Sequence, residues 1–410
     1  MKRRLLWLAL LPLLLTAALL LVVCEPSPRV SRGKTITPDA VDEARHMLAS
    51  NDPRRLRRGE ERTTMIPATL VDTLLNHLAS RRWRGRGEFS LGKDAAEVRI
   101  TVPVDVLPLP CYVNFTAIVQ ATAGEPRVFR ASIGRLPIPP ALAELLISST
   151  LRMSGYERQW QAARQAVRRL VMAPELASIE LTYVWEPGLL DNARALAFSP
   201  DDIQRIRVAQ AALAGLLDHD TPLVGVPLGR ILAPLLASSG DPTPAQGRAA
   251  LFVLATYLAE TSLANLLPEA TRWPQPRRVK LTLRGRHDSA QHFGISAAIA
   301  AWAGEPVADA IGLYKEIEDA RSGSGFSFAD LAADRAGTRF GELVIAASPR
   351  LYAALGRPLS DGELVGSFDG LPESLSESEF VRRFGGLDSP VYRELTDEVE
   401  RRLTALPLYH

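Results

Sequence analysis

The chain has 410 residues, of which 47% are apolar and 23% are charged, and its formal net charge is +2. This composition argues against a disordered protein and is sufficient for the cores of two or three domains. The near-neutral charge, with basic residues scattered along the chain, argues against a nucleic-acid-binding protein.

The N-terminal residues predict a membrane segment. After three basic residues at positions 2–4, the stretch Leu5–Val23 runs for 19 residues without a charge. A helix of this length crosses a hydrocarbon core of about 30 Å. We therefore expect residues 1–24 to form an uncleaved transmembrane anchor, with the bulk of the chain in the periplasm or extracytoplasmic space. Two alternatives are a cleaved secretory signal and a lipoprotein signal whose modified residue is Cys24.

The residues after the apolar segment predict a connection. Residues 25–62 are rich in proline, arginine and serine, as in a solvated linker, and the alternative is a basic arm that rests on anionic headgroups. The two cysteines, Cys24 and Cys111, are too few for a disulfide framework. Because Cys24 ends an apolar run, we expect no bridge between them.

Residues 63–185 predict a small α+β domain. A periodic apolar helix over 66–78 precedes segments in which apolar and polar residues alternate as in half-buried strands. The predicted strands are Glu97–Val104, Tyr112–Val119, Arg127–Ile133 and Ile179–Trp185.

The order of these parts resembles the YpmS-like bacterial envelope proteins, which have a tubular lipid-binding (TULIP-type) fold. The resemblance lies in the helix before the sheet, in Tyr112-Val-Asn114 at the start of a strand, and in Ile133–Pro140 before a helix. It implies an apolar groove for an acyl chain or another amphipathic ligand. The alternative is an ordinary α+β packing domain.

The remaining residues predict helices. A helical domain over 186–347 includes apolar periodicity at Ile203–Leu217 and a long apolar stretch at Ala245–Leu267, which we expect to be a buried core helix because it contains charged residues. A charged helical tail follows over 348–410. The expected fold class is α+β, with an anchor helix, a small α+β domain and a mainly helical domain.

The segment 285–341 gathers ionisable side chains among many alanines and glycines. On helices, residues three or four apart share a face, and helices of small residues pack closely enough to force inward polar groups together. We single out His287, Asp288, His292, Lys315, Glu316, Asp319, Asp330 and Asp334 as a candidate site. Simpler alternatives are a capping box formed by Ser327 and Asp330, three residues apart, and a surface pair between Lys315 and Asp319. Lys315 is notable because the chain has 43 arginines and only 5 lysines.

The same segment resembles the YfiM-like bacterial envelope lipoproteins and, more distantly, VanZ-like proteins. The shared elements are Asp288-x-x-Gln-His292-Phe, then Gly312-x-x-Lys-Glu316-x-x-Asp319, then Ser327-x-x-Asp330-Leu-x-x-Asp334-x-x-Gly337. This similarity implies an envelope location and a shared polar core.

Two functions follow as hypotheses. The first is a non-enzymatic envelope factor that binds a lipid or a partner, in which the polar cluster only holds the helices together. The second is a metal-dependent or general acid/base hydrolase that uses the cluster at 287–334. The sequence predicts membrane lipid as a partner through the anchor, and an amphipathic ligand as a possible second one. It identifies no metal, cofactor or oligomeric state.

Overall fold

A computed structural model provides the fold of the protein. It describes residues 22–52, 55–93, 95–104, 110–122, 125–153, 157–189, 191, 198–218, 222, 224–238, 243–322 and 324–410. The chain divides into two compact units. The α+β unit comprises residues 1–35 and 42–197, and the helical unit comprises residues 36–41 and 198–410. The protein is thus an α+β protein, as the sequence predicts.

Two antiparallel sheets form the α+β unit. The larger sheet has the strand order β3-β4-β5-β6-β7, with β1 paired to the start of β5, and the smaller has the order β2-β9-β8. The strands are β1 (Cys24–Glu25), β2 (Glu61–Pro67), β3 (Arg86–Leu91), β4 (Ala95–Pro103), β5 (Tyr112–Thr122), β6 (Glu125–Ile133), β7 (Leu136–Ile138), β8 (Val167–Ala173) and β9 (Ser178–Val184). The helices are α1 (Pro38–Ser50), α2 (Ala68–Trp83), α3 (Pro140–Met153) and α4 (Glu157–Ala166).

The segment predicted as a linker is held to the α+β unit at several points. The backbone N–H of Val30 donates to Thr101 Oγ1 at 3.0 Å, and Asn76 Nδ2 donates to the carbonyl of Gly33 at 2.9 Å. Asn114, which is fully buried, accepts from the backbone N–H of Arg29 at 3.1 Å. Residues 29–33 of the predicted linker are therefore part of the fold, because their backbone groups bond to buried polar side chains.

The two cysteines form a disulfide, which corrects our expectation that they would stay apart. Cys24 lies in β1, whose pairing with Val113 of β5 places it beside Cys111. The two Cα atoms are 5.3 Å apart, within the usual range for a disulfide. The spacing along the sequence could not show this, because the contact depends on the strand pairing.

The helical unit consists of ten helices and a short two-stranded parallel sheet within the described residues. The strands are β10 (Val224–Pro227) and β11 (Lys280–Thr282). The helices are α5 (Pro200–Leu216), α6 (Leu228–Ala237), α7 (Pro244–Leu258), α8 (His287–Ala303), α9 (Glu305–Ser322), α10 (Phe328–Ile345), α11 (Pro349–Ala354), α12 (Asp361–Leu364), α13 (Glu377–Phe384) and α14 (Pro390–Thr404).

Residues 348–410, predicted as a tail, are built into the core of the helical unit. Leu351, Leu364 and Leu403 belong to the large buried cluster that also contains α7 and α8. Phe380 and Phe384 pack with the aromatic side chains at the start of α10 in a second cluster. The domain boundary also differs from the prediction, because the helical unit resumes at Phe198 and not at residue 186.

The buried core helix predicted over Ala245–Leu267 is confirmed in its first part, since α7 is buried along most of its length, but the helix ends at Leu258 and a 3-10 turn follows at Leu263–Asn265. The anchor predicted at residues 1–24 falls almost wholly outside the described residues, of which only 22–24 are included. Among the described residues, no helix combines the length and the apolar character that a membrane crossing requires.

Candidate functional site

Three helices of the helical unit, α8, α9 and α10, meet at close range because glycines line their contacts. A Cβ atom on Gly337 would lie 2.1 Å from the carbonyl oxygen of Phe293, and one on Gly341 would lie 2.3 Å from that of Ala297. A Cβ atom on Gly312 of α9 would lie 2.8 Å from Asp334 Oδ2. The small residues thus bring the polar side chains of the three helices together, as the sequence predicts.

His292 and Asp334 form the centre of the cluster. His292 Nδ1 is 3.0 Å from Asp334 Oδ2, and Ser296 donates from its Oγ to Asp334 Oδ1 at 2.6 Å. All three side chains are buried. Burial lowers the pKa of His292, but the carboxylates of Asp334 and Asp330 outweigh it and raise this pKa to about 9. Asp334 therefore fixes the orientation of the imidazole and leaves Nε2 for another partner.

Glu316 is the most enclosed carboxylate of the cluster, with 0% of its side chain exposed. Its Oε2 accepts from the backbone N–H of Ser327 at 2.8 Å. Its Oε1 has no hydrogen-bond partner in the part of the chain that the structure describes. The nearest cationic atoms are Lys315 Nζ at 3.9 Å and His292 Nδ1 at 4.0 Å. Burial raises the pKa of Glu316 to about 8.

Asp330 faces the cluster from the first turn of α10. Its backbone N–H donates to Ser327 Oγ at 3.1 Å, so Ser327 is the N-cap of α10. The backbone N–H of Ser327 donates to Glu316 Oε2 instead of to Asp330, so the predicted capping box is only half formed. The carboxylate of Asp330 lies 3.9 Å from His292 Nε2 and 3.4 Å from Arg286. Burial raises the pKa of Asp330.

Lys315 lies at the open side of the cluster, where 50% of its side chain is exposed. Its Nζ is 2.5 Å from Asp319 Oδ2 and 3.2 Å from His292 Nε2. Burial lowers the pKa of Lys315, but the hydrogen bond to Asp319 and the nearby carboxylates raise it more. Two protonated groups at this distance repel each other, so surrounding carboxylates must hold the contact together.

The structure separates two of the predicted site residues from the buried centre. Asp288 is half exposed and binds Arg286 through both carboxylate oxygens, at 3.1 and 2.9 Å. The hydrogen bond from Arg286 lowers the pKa of Asp288. His287 directs its Nδ1 to the carbonyl of Leu281 at 2.7 Å, and its Nε2 is 3.9 Å from Glu260. Neither residue contributes a ligand atom to the centre.

Three side chains of the buried centre, those of His292, Glu316 and Asp330, lie close enough together to bind a metal ion. One ring nitrogen of His292 and one carboxylate oxygen each of Glu316 and Asp330 lie within 4.8 Å of one another. Ligand atoms around a tetrahedral metal are about 3.5 Å apart, so a small inward movement of the side chains would complete the site. Lys315 Nζ lies beside two of these residues and supplies positive charge at the same place.

Sequence reasoning missed two residues of the site. Ser296 lies one turn after His292 on α8 and holds Asp334, for which Gly312, a residue of the recognised motif, leaves the space. Arg286 precedes α8 and binds Asp288, Asp330 and Glu373 together. The four-residue spacing from His292 to Ser296 was a usable signal, whereas the position of Arg286 depends on the packing of separate segments.

Comparisons of the chain with known protein families, with curated proteins and with solved structures found no match.

Proposed function

We propose that this protein is a metal-dependent hydrolase of the bacterial envelope and that His292, Glu316 and Asp330 hold its divalent cation. The observation that carries the proposal is the fully enclosed Oε1 of Glu316, which has no hydrogen-bond partner among the described residues and lies within reach of two further ligand groups. A buried carboxylate oxygen without a partner is costly, and a bound cation removes that cost.

The donor set indicates the kind of metal. One imidazole and two carboxylates suit zinc, manganese or iron and are typical of catalytic sites, where open positions remain for water or substrate. Such an ion lowers the pKa of a bound water and polarises a substrate oxygen. Asp334 would act as the outer partner that orients His292, and the imidazole must lose its extra proton to bind the metal.

Lys315 makes the proposal testable because it competes with the metal. Its ammonium lies 3.2 Å from His292 Nε2, and its exposed, flexible stem allows it to move outward. Replacing it by methionine, which is uncharged and of similar length, should increase the affinity for metal. If the cluster only holds the helices together, Lys315→Met should weaken the fold and bind no metal.

The direct experiment is to measure the metal content and thermal stability of the full chain purified without chelators. We expect close to one metal ion per chain in the wild type and loss of that ion in Glu316→Gln. Asp288→Asn is the matched control, because Asp288 lies on α8 one turn before the ligand His292 but contributes no ligand atom, and this variant should keep its metal. A wild type that contains no metal and gains no stability from added Zn²⁺ or Mn²⁺ would overturn the proposal.

Two observations support the envelope location. The disulfide between Cys24 and Cys111 is stable in oxidising compartments such as the periplasm, and the uncharged stretch Leu5–Val23 would deliver the chain there. A disulfide also occupies the sulfur that a lipoprotein would use for its lipid. This supports the anchor over lipidation at Cys24, in contrast to the YfiM-like lipoproteins that the sequence resembles.

A second candidate function is a lipid- or partner-binding envelope factor with a TULIP-like α+β unit. It is supported by the many exposed large apolar side chains of this unit. A cavity of about 200 Å³ lies beside α4 and the end of β9, lined in part by Gln165, Val184 and Glu186. This is smaller than the roughly 300–1,000 Å³ of common ligand cavities and has a partly polar lining. A bound lipid in extracts of the purified chain would favour this function.

A further inference from the structure

Helix α3 of the α+β unit presents apolar side chains away from the core. Ala143 packs against Ala131 and Ile138, whereas Leu142, Leu145 and Leu146 are exposed, Leu145 by 59%. These three leucines follow the spacing i, i+3, i+4, so they share one side of the helix. A continuous exposed apolar surface of this kind marks a site of interaction.

The apolar N-terminal segment ends at the same part of the fold. The carbonyl of Val22 accepts a hydrogen bond from the backbone N–H of Arg135 at 3.0 Å, in the turn before β7 and α3. Gly134 has positive φ, and a Cβ atom there would lie 2.5 Å from the carbonyl oxygen of Val23. With β1 paired to β5 and Cys24 in a disulfide, there is no free linker between the segment Leu5–Val23 and the sheet.

Charges of both signs lie near α3. Arg135, in the turn before β7, is exposed. Arg152 lies in the last turn of α3 and pairs with Glu157 at 3.2 Å, and Glu144 on α3 is an exposed carboxylate. Exposed leucines on a helix that also carries charged residues are typical of surfaces that rest in the headgroup region.

We propose that α3 is a second membrane contact, with Leu142, Leu145 and Leu146 inserted into the interface of the bilayer that holds Leu5–Val23. The occupant of the apolar surface is the lipid itself. Because the chain leaves the membrane directly into β1, the sheet must stay beside the bilayer. This inference rests on the proposed anchor, but not on the metal site.

Spin labels in the full chain test the contact. The chain is reconstituted into vesicles of phosphatidylethanolamine and phosphatidylglycerol, with a nitroxide at Leu145→Cys. The matched control is Leu176→Cys, which is 68% exposed in the same unit but lies in the turn between β8 and β9. Collision rates with oxygen, which concentrates in lipid, and with a water-soluble nickel chelate are measured at both positions.

We expect a severalfold higher ratio of oxygen to nickel collisions at position 145 than at position 176. Equal ratios at the two positions, in chains that stay with the vesicles, would overturn the contact while leaving the anchor intact. Low collision rates with both reagents at 145 would also overturn it, because they mean that protein covers α3. Chains that separate from the vesicles would instead disprove the anchor. If Leu145→Cys fails to fold, Leu142→Cys tests the same surface.

Discussion

The α+β unit and the helical unit bury their side chains in different ways. Among the described residues of the α+β unit, the buried apolar cluster consists of Ala131, Ile138 and Ala143, with Phe115, Val128 and Ile133 packed against it. The helical unit has a cluster that extends from α5 to the C-terminus and a second, aromatic one around Phe326 and Phe328. The helical unit therefore holds itself together by packing, whereas the α+β unit depends on strand pairing, a disulfide and buried polar contacts.

Because of this difference, we expect the two units to bind other molecules in different ways. The helical unit can accommodate a buried polar cluster because its large core offsets the cost of desolvating those charges. The α+β unit leaves leucines of α3 exposed, which fits a unit that completes its burial against lipid. The comparison predicts that a substitution in one unit should change the unfolding free energy of that unit and leave that of the other unit unchanged.

The largest effect is expected from the disulfide. Cys24 and Cys111 have a sequence separation of 87 residues, and a cross-link over such a loop stabilises a protein by about 4.5 kcal/mol. Cys111→Ser in the full chain should lower the unfolding free energy of the α+β unit by about that amount and leave the helical unit unchanged. Hydrogen exchange measured by mass spectrometry follows each unit separately. An equal increase of hydrogen exchange in both units would show that the stability of one unit depends on the other, which would contradict this prediction.

The next largest effect is expected from the contact between α8 and α10. Gly337→Ala places a Cβ atom 2.1 Å from the carbonyl of Phe293 and should cost about 3 kcal/mol, since the backbones must move apart. Gly215→Ala on α5 is the matched control, because its Cβ atom meets no atom within 4 Å. It should stabilise by up to about 1 kcal/mol. Urea unfolding of both variants measures the difference, and similar values for the two would contradict the packing argument.

A smaller effect is expected from Asp309 on α9. Burial raises the pKa of Asp309 to about 6 in spite of its ion pair with Arg335. A pKa that is higher in the folded state means that the stability contributed by Asp309 is lost as pH rises from about 4 to 6. This contribution should total about 2–3 kcal/mol. Asp309→Asn should reduce the loss of stability over this pH range by that amount and be the more stable protein at pH 7, which urea unfolding at several pH values can measure. An unchanged slope would contradict the assigned cause.

Much of the fold follows from periodicity. Strands β4, β5, β6 and β9 and helices α2 and α5 lie where the apolar patterns predict them, within about five residues, whereas α7 begins where predicted but ends nine residues early. Strands β2 and β8 were missed because apolar and polar residues do not alternate in ERTTMIP and VRRLVMA. These segments are extended because their backbones pair with β9, which the local sequence pattern does not show.

The sequence predicted the members of the site better than their positions. The four-residue spacings placed Lys315 beside Asp319, but they could not distinguish Asp288, which turns to Arg286, from Asp334, which lies beneath His292. That distinction depends on how three helices are packed, and therefore on glycines whose partners are distant in the sequence. The disulfide was missed for the same reason.

The most direct test of the account is X-ray absorption at the metal edge of the full chain loaded with zinc. We predict one imidazole nitrogen and at least two oxygen ligands at about 2.0–2.1 Å, with the imidazole signal lost in His292→Ala. His287→Ala is the control, because that side chain points to the carbonyl of Leu281, and it should leave the spectrum unchanged. A spectrum that shows oxygen ligands alone, or one that His287→Ala alters and His292→Ala does not, would contradict the proposed centre.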